Sequence, residues 1–147
     1  MNGGLLLFVE QPSASGPQEI LLREMLEIAR SAGRSIAHVM SCKVRHPFPR
    51  YYFGKGRVAE VGTLISERSL SFVLTNVEIT PSQQRNLEKA WSVPVYTKYA
   101  IIHEIFAQRA RTAQGKIKVE LARLRYELSR LTGKGIELSR TGGGIGT

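Results

Sequence analysis

Hydrophobic residues in the first two thirds of the chain alternate between short apolar runs and longer amphipathic stretches. Four runs rich in Leu, Ile, Val, Phe and Met predict buried strands, and they cover residues 4–10, 35–44, 70–76 and 93–97. Three intervening stretches carry apolar residues at helical spacing and begin near Pro17, Val58 and Thr80. Alternating strands and helices predict right-handed crossovers and an α/β fold, a small parallel sheet of about four strands with flanking helices on both faces.

Capping residues mark the ends of two of these helices. Gly33 provides a stop for the first one. Thr80, Pro81 and Gln83 have the spacing of a capping box with proline at the first helical position. These signals predict a helix end at Gly33 and a helix start at Thr80.

From Tyr99 onward the strand pattern disappears, and helical spacing continues to about Leu131 with an interruption near residues 111–115. The last six residues contain four glycines, which allow backbone conformations closed to other residues. We therefore expect an α/β subdomain at residues 1–98, followed by a helical subdomain at residues 99–147 that is a long extension ending in a Gly-rich tip loop.

One face of the long C-terminal helix carries large apolar residues at heptad spacing. The steps between them are four, three, four and three residues, and the residues are Ile117, Leu121, Leu124, Leu128 and Leu131. Basic residues flank this seam on both sides. A seam of this size needs a partner, and the sequence leaves two open: a second helix that completes a hairpin, or a second copy of the chain in a homodimer.

The chain is strongly basic, with 21 Lys and Arg against 12 Asp and Glu and a net charge of +9. Residues 109–147 hold nine basic and three acidic side chains, so most of the excess charge lies there. This charge favours a polyanionic partner, either nucleic acid or an anionic membrane surface, although solubility alone would also explain it. No apolar stretch is long enough to span a membrane. Cys42 is the only cysteine, so we expect a cytoplasmic protein without a metal site.

Motifs for nucleotide chemistry are largely absent from the sequence. Neither GxxxxGK[ST] nor NKxD occurs in the 147 residues, so we expect no GTP hydrolysis by this chain alone and assign no catalytic residue. The nearest phosphate-binding candidate is FGKGR, a glycine-lined basic turn that ends a long aromatic and basic loop and enters a helix, with residues Gly54, Lys55, Gly56 and Arg57. Two interpretations remain open. Lys55 and Arg57 contact phosphates of a nucleic acid, which is the more economical one, or the turn binds a nucleotide.

Several longer stretches resemble the N-terminal region of HflX, a family of translational GTPases. They are FGKGRVAEV, ITPSQQRNLEKAW, IIHEIFAQRARTAQGKIKVELARLRYELSRL and LSRTGGGIGT, in this order. The resemblance implies an α/β subdomain, then two long antiparallel helices joined at their tip by a glycine loop, then a P-loop GTPase domain. This chain would hold the α/β subdomain, one half of the helical hairpin and half of the tip. GTP and Mg²⁺ would belong to the GTPase domain, which is absent from this chain.

The resemblance also implies a partner, the large ribosomal subunit and its rRNA. The glycine tip would reach the peptidyl-transferase region while the basic helix lies along rRNA, which is recognised mainly through shape, phosphates and 2′-hydroxyls. The full protein would be a GTPase that dissociates or rescues ribosomes under GTP control. The residues assigned to rRNA are Lys116, Lys118, Arg123, Arg125, Arg130, Lys134, Arg140, Gly142, Gly143, Gly144 and Gly146. The alternatives are an ATP-binding α/β unit that uses the FGKGR turn and a helical self-association module.

Overall fold

Strands and helices alternate along the first part of the chain, which confirms the predicted α/β class. A computed structural model describes residues 3–11, 17–110 and 112–142, and for residues 113 and 131–142 it describes the backbone alone. The elements are β1 (Gly4–Val9), α1 (Gln18–Ser31), β2 (Ile36–Cys42), α2 (Lys55–Arg68), β3 (Val73–Thr75), α3 (Pro81–Trp91), β4 (Val95–Thr97), α4 (Lys98–Arg109) and α5 (Ala113–Gly142).

The four strands form one parallel sheet with the order β2-β1-β3-β4. β1 is an inner strand, in which Leu5 pairs with His38 of β2 on one side and with Val73 of β3 on the other. All six residues of β1 are buried, which explains why its apolar run is unbroken. β2 lies at an end of the sheet and alternates between half-buried and exposed positions along most of its length.

Each face of the sheet packs against its own hydrophobic cluster. The first cluster joins the sheet to α2 and α3 and includes Leu5, Leu7, Val61, Leu87 and Trp91. The second joins the sheet to α1 and α4 and includes Leu6, Phe8, Met25, Phe72 and Ile101. Because alternate residues of β1 enter the two clusters, helices cover both faces of the sheet, as predicted.

The predicted capping box at the start of α3 is confirmed. Thr80 Oγ1 accepts a hydrogen bond from the Gln83 backbone nitrogen at 3.0 Å, and Gln83 Oε1 accepts one from the Thr80 backbone nitrogen at 2.9 Å. The predicted stop of α1 is present as well, because Gly33 follows the helix with φ of 75°. That left-handed conformation is one that glycine adopts without a steric penalty.

Replacing Thr80 with Ala should lower the free energy of unfolding by about 1 kcal/mol, because the Gln83 amide loses its side-chain acceptor. Thr80→Ser keeps the hydroxyl and is the matched control, with an expected change of less than about 0.5 kcal/mol. Urea unfolding followed by circular dichroism measures both variants. Equal losses in the two variants would contradict a capping role for the hydroxyl.

α2 begins at Lys55, earlier than the predicted start at Val58. Gly54 is the N-cap, and its carbonyl oxygen accepts the hydrogen bond of the Val58 backbone nitrogen at 3.0 Å. The FGKGR motif therefore forms the first turn of a helix in addition to the end of a loop. Glycine weakens a helix by only about 1 kcal/mol, so Gly56 does not prevent this turn from forming.

By compactness the chain divides into two units, Met1–Ile105 and Phe106–Thr147. The first unit includes the start of α4, because Ile101 is fully buried in the second cluster and Ile105 packs against that cluster. The compact unit thus extends beyond Lys98, where the sequence pattern places the end of the α/β subdomain.

α5 is longer than the sequence pattern predicts. The helix was expected to end near Leu131, and its backbone continues to Gly142. Gly133 and Gly135 lie inside this extension. Glycine lowers the stability of a helix, but unlike proline it keeps its backbone hydrogen-bond donor, so the helix continues through both positions.

Candidate nucleic-acid interface

α5 presents basic side chains on an exposed helical surface. Lys116, Lys118 and Arg125 are exposed, whereas Arg123 and Arg130 are half-buried. The three exposed cations are open to a polyanion on both flanks of the apolar seam, Lys116 on one flank and Lys118 with Arg125 on the other, and together they are called the α5 cationic surface.

Arg123 differs from these three residues because acidic side chains already bind it. Its guanidinium forms ion pairs with Glu120, one turn before it, and with Glu127 Oε1, one turn after it, at 2.7 Å. The hydrogen bonds with Glu120 raise the pKa of Arg123 and lower the pKa of the Glu120 carboxyl. A phosphate would have to compete with two carboxylates for this guanidinium, so the position contributes less to anion binding than its charge suggests.

Arg130 lies over the ring of Tyr126, with its guanidinium carbon 5.4 Å from the ring centroid. This distance is within the range of a cation–π contact. The planar fork of a guanidinium also suits bidentate phosphate binding.

The apolar seam predicted on α5 is largely exposed. The exposed fractions of its described side chains are 65% for Ile117, 44% for Leu121, 48% for Leu124 and 62% for Leu128. Four neighbouring large apolar side chains at this exposure form a surface that a protein partner would cover. The side chain of Leu131, the fifth predicted member, lies outside the described residues.

The remaining positions assigned to rRNA are Lys134, Arg140 and the four glycines of the tip. Gly142 is the last residue of α5. Gly143, Gly144 and Gly146 lie outside the described residues, as do the side chains of Lys134 and Arg140. Their assignment to RNA stays a prediction.

The residues of FGKGR do not converge on a single pocket. Lys55 lines a cleft of about 660 Å³ together with Arg50, Tyr51 and small side chains of α2. Gly54 and Arg57 instead line a separate pocket of about 220 Å³. Because the N-cap of α2 is Gly54, no side chain forms a capping hydrogen bond at this end of the helix.

Arg57 is held by its own helix. It forms an ion pair with Glu60 Oε1 at 2.8 Å, and it lies 3.7 Å from the sulfur of Met40. Burial raises the pKa of the nearby Cys42 thiol, which the positive charge of Arg57 partly counteracts. The Arg57 guanidinium therefore places a partly neutralised positive charge at the wall of the smaller pocket.

Sequence reasoning missed most of the residues that line this smaller pocket. They come from the loop before α2 and include Lys43, Arg45, His46 and Phe48. The sequence showed that the loop is aromatic and basic, but not that these four side chains would meet Gly54 and Arg57. The density of cations and aromatic rings over residues 43–57 was the signal that could have identified them.

Residues 3–11, 17–110 and 112–142 contain neither a metal-binding cluster nor a helix suited to crossing a membrane. No group of three His, Cys, Asp or Glu side chains in these ranges could hold a metal ion. None of the helices there combines the length and the apolar character that crossing a bilayer requires.

Two family models cover most of the chain. The model of the GTP-binding GTPase N-terminal domain matches residues 19–107, and that of the GTP-binding GTPase middle region matches residues 109–147. The chain belongs to the HflX family. The HflX resemblance predicted from FGKGRVAEV and the following motifs is thereby confirmed.

Curated HflX relatives match along nearly the whole chain. GTPase HflX of Caldanaerobacter subterraneus is 39% identical over 134 residues, which cover 91% of this chain and 31% of that protein. GTPase HflX of Escherichia coli is 38% identical over 125 residues, which cover 85% of this chain and 29% of that protein. The chain therefore spans about a third of the length of the HflX relatives that it matches.

A solved structure has the same fold. A GTP-binding protein from the hyperthermophilic archaeon Sulfolobus solfataricus, in complex with GDP, aligns with a TM-score of 0.66 over 91% of this chain and 40% of that protein. Its sequence identity to this HflX chain is 19%, so the likeness supports the fold and carries no conclusion about function.

Proposed function

We propose that this chain is the ribosome-binding part of an HflX-type GTPase and that α5 binds rRNA of the large ribosomal subunit. The observation that carries the proposal is the α5 cationic surface of Lys116, Lys118 and Arg125. Folded RNA exposes phosphates and 2′-hydroxyls, and exposed Lys and Arg side chains bind these groups without a shaped pocket.

The resemblance to a translational GTPase family supports RNA over the other polyanions. A basic amphipathic helix such as α5 would also suit an anionic membrane surface. Membership of the HflX family favours the ribosome, because the family acts in translation. The glycine tip, Gly142 with Gly143, Gly144 and Gly146, would follow the helix into the peptidyl-transferase region.

On this proposal the GTP switch lies in the parts of the HflX proteins that this chain does not span. No P-loop motif occurs in its 147 residues, so GTP and Mg²⁺ would bind elsewhere in the full protein. The nucleotide state would set how long the protein stays on the ribosome. The full protein would act in the cytoplasm and dissociate or rescue ribosomes there.

Co-sedimentation with purified large ribosomal subunits across a salt series tests the proposal. With three phosphate contacts, the association constant should fall about 20- to 40-fold between ~50 and ~200 mM monovalent salt, because each contact releases condensed counterions. Purified small subunits are the matched control, and we expect weaker binding to them. A salt-independent constant, equal binding to both subunits, or no binding at low salt would contradict the proposal.

Two alternatives have weaker support. An ATP site at FGKGR needs Lys55 and Arg57 on one phosphate group, yet they line different pockets. Self-association is favoured by the exposed seam alone, and a second helix of an HflX hairpin would cover the same four side chains. Dimerisation that depends on protein concentration and that is lost in Leu124→Asp would favour self-association.

A further inference from the structure

Phe48 is an exposed aromatic side chain on a rigidly held backbone. Its side chain is 54% exposed, and it lies between Pro47 and Pro49, which restrict the local backbone. The Phe48 nitrogen donates to the Tyr52 carbonyl at 3.0 Å, and the Tyr52 nitrogen donates to the Phe48 carbonyl at 2.9 Å. Gln83 Nε2 donates a further hydrogen bond to that carbonyl at 2.9 Å.

The turn that holds Phe48 includes an unfavourable backbone conformation. Tyr52 has φ of 68°, in the left-handed region that non-glycine residues rarely adopt. Strain of this kind costs about 1 kcal/mol or more and is common at binding sites, where it fixes a side chain in place. Here it closes the hairpin that presents the Phe48 ring.

The ring forms one wall of the 220 Å³ pocket. A Cβ at Gly54 would lie 3.4 Å from the nearest ring carbon, so the ring packs closely on the glycine backbone. Cationic side chains surround the opening: Lys43 and Arg45 are exposed, and Arg57 reaches the pocket from α2. Glu60, an acidic neighbour on α2, is already paired with Arg57.

We propose that this pocket binds one unpaired nucleobase of single-stranded RNA. The base stacks on Phe48, and the adjoining phosphates bind Lys43 and Arg45. Aromatic stacking combined with a cationic rim is the usual way in which proteins hold unpaired bases. The lining side chains include no carboxylate and no amide, so the pocket would select a flat aromatic base rather than a particular sequence.

Pocket size and shape favour a base within a strand over the other ligands of similar chemistry. Pockets for drug-sized ligands measure about 300–1,000 Å³, so a volume of 220 Å³ suits one base better than a complete nucleoside triphosphate. A membrane surface would need several protruding apolar side chains, whereas Phe48 is a single ring that lines a concavity. The inference goes beyond the proposed function, because it concerns a different site and an unpaired base.

The test compares two RNA probes in fluorescence anisotropy with the full chain. One is an oligoadenylate of about ten nucleotides, and the other is an abasic strand with the same phosphates. Phe48→Ala should weaken oligoadenylate binding about tenfold and leave abasic binding unchanged, because only the stacking contact is lost. Phe48→Trp should retain or strengthen oligoadenylate binding.

A matched control is Phe106→Ala, since Phe106 is similarly exposed at 58% but lies on α4, and it should change neither affinity. The Phe48 hydrogen bonds come from its backbone, so Phe48→Ala should keep the wild-type circular dichroism spectrum and melting temperature. A variant that removes the α5 cations should weaken both probes equally, which separates a failure of this inference from a failure of the proposed function.

Three results would overturn the inference. Equal loss of oligoadenylate and abasic binding in Phe48→Ala would mean that the ring does not stack on a base. Saturable ATP binding that Phe48→Ala abolishes would make the pocket a mononucleotide site. Binding to anionic phosphatidylserine vesicles that depends on Phe48, without base-dependent RNA binding, would make it a membrane contact.

Discussion

The triple variant Lys116→Gln, Lys118→Gln and Arg125→Gln is expected to bind the large ribosomal subunit about 100-fold more weakly than the wild-type chain. Each exposed cation that contacts a phosphate contributes about 1 kcal/mol, and three such contacts account for this factor. Glutamine is a good helix former, so α5 should be retained. Co-sedimentation at constant salt measures the affinity, and in a salt series the slope of log K against log salt should decrease in magnitude by about two to three.

A second triple variant controls for total charge. Arg23, Arg68 and Lys89 are exposed cations on α1, α2 and α3, and their replacement by Gln lowers the net charge from +9 to +6, as the first variant does. We expect a change of less than about threefold for the control, since long-range attraction is screened beyond about 10 Å. If both variants lose affinity equally, binding to the large ribosomal subunit depends on the overall charge of the chain, and α5 has no specific role.

Much of the fold was predictable from the sequence because its strongest signals are local. The unbroken apolar run of β1 has one physical explanation, burial on both faces of a parallel sheet, and the structure has that arrangement. Thr80 and Gln83 form their capping box within a single turn, so spacing alone identifies it. The heptad seam on α5 follows from helical geometry in the same way.

The candidate sites depend on contacts that sequence spacing does not record. The four loop residues of the smaller pocket meet Gly54 and Arg57 only because the loop folds back, with Phe48 held by Gln83 from 35 positions away. The sequence pattern predicts that α2 starts at Val58, whereas the helix begins at Lys55. Val58 packs into the first cluster, one turn inside the helix. The charges on α5 were predictable, but the pairing of Arg123 with two carboxylates required the helix geometry.

The two proposed RNA-binding surfaces of the chain differ in their chemistry. The α5 cationic surface offers charge without a pocket, which suits phosphates of folded RNA. The Phe48 pocket offers a ring within a cationic rim, which suits an unpaired base. Binding by the α5 cationic surface should depend mainly on salt, whereas binding by the Phe48 pocket should depend on the presence of a base. A salt series and an abasic RNA therefore distinguish the two contributions.

The α/β unit also contains a half-buried charged cluster that links α4 to the turn between α1 and β2. Arg34, between α1 and β2, donates from Nε to Glu104 Oε2 at 2.8 Å and from one terminal nitrogen to Oε1 at 2.7 Å. Its guanidinium carbon lies 4.2 Å from the ring centroid of Tyr96 and 5.2 Å from that of Phe72. The hydrogen bonds with Glu104 raise the pKa of Arg34, so this guanidinium stays charged throughout the ordinary pH range.

Replacing Arg34 with Ala is expected to lower the free energy of unfolding by about 3 kcal/mol, because two charge-assisted hydrogen bonds and the ring contacts are lost and the half-buried Glu104 carboxylate loses this partner. Arg34→Lys should recover less than half of this loss, since an ammonium can neither bind the carboxylate in a bidentate manner nor stack on Tyr96. Arg30→Ala is the matched control: Arg30 and Glu27 have exposed side chains at 81% and 63% and lie 3.4 Å apart, so it should cost less than about 0.5 kcal/mol. Urea unfolding measures all three variants. If Arg34→Ala costs no more than Arg30→Ala, the cluster is an ordinary surface ion pair and does not anchor α4.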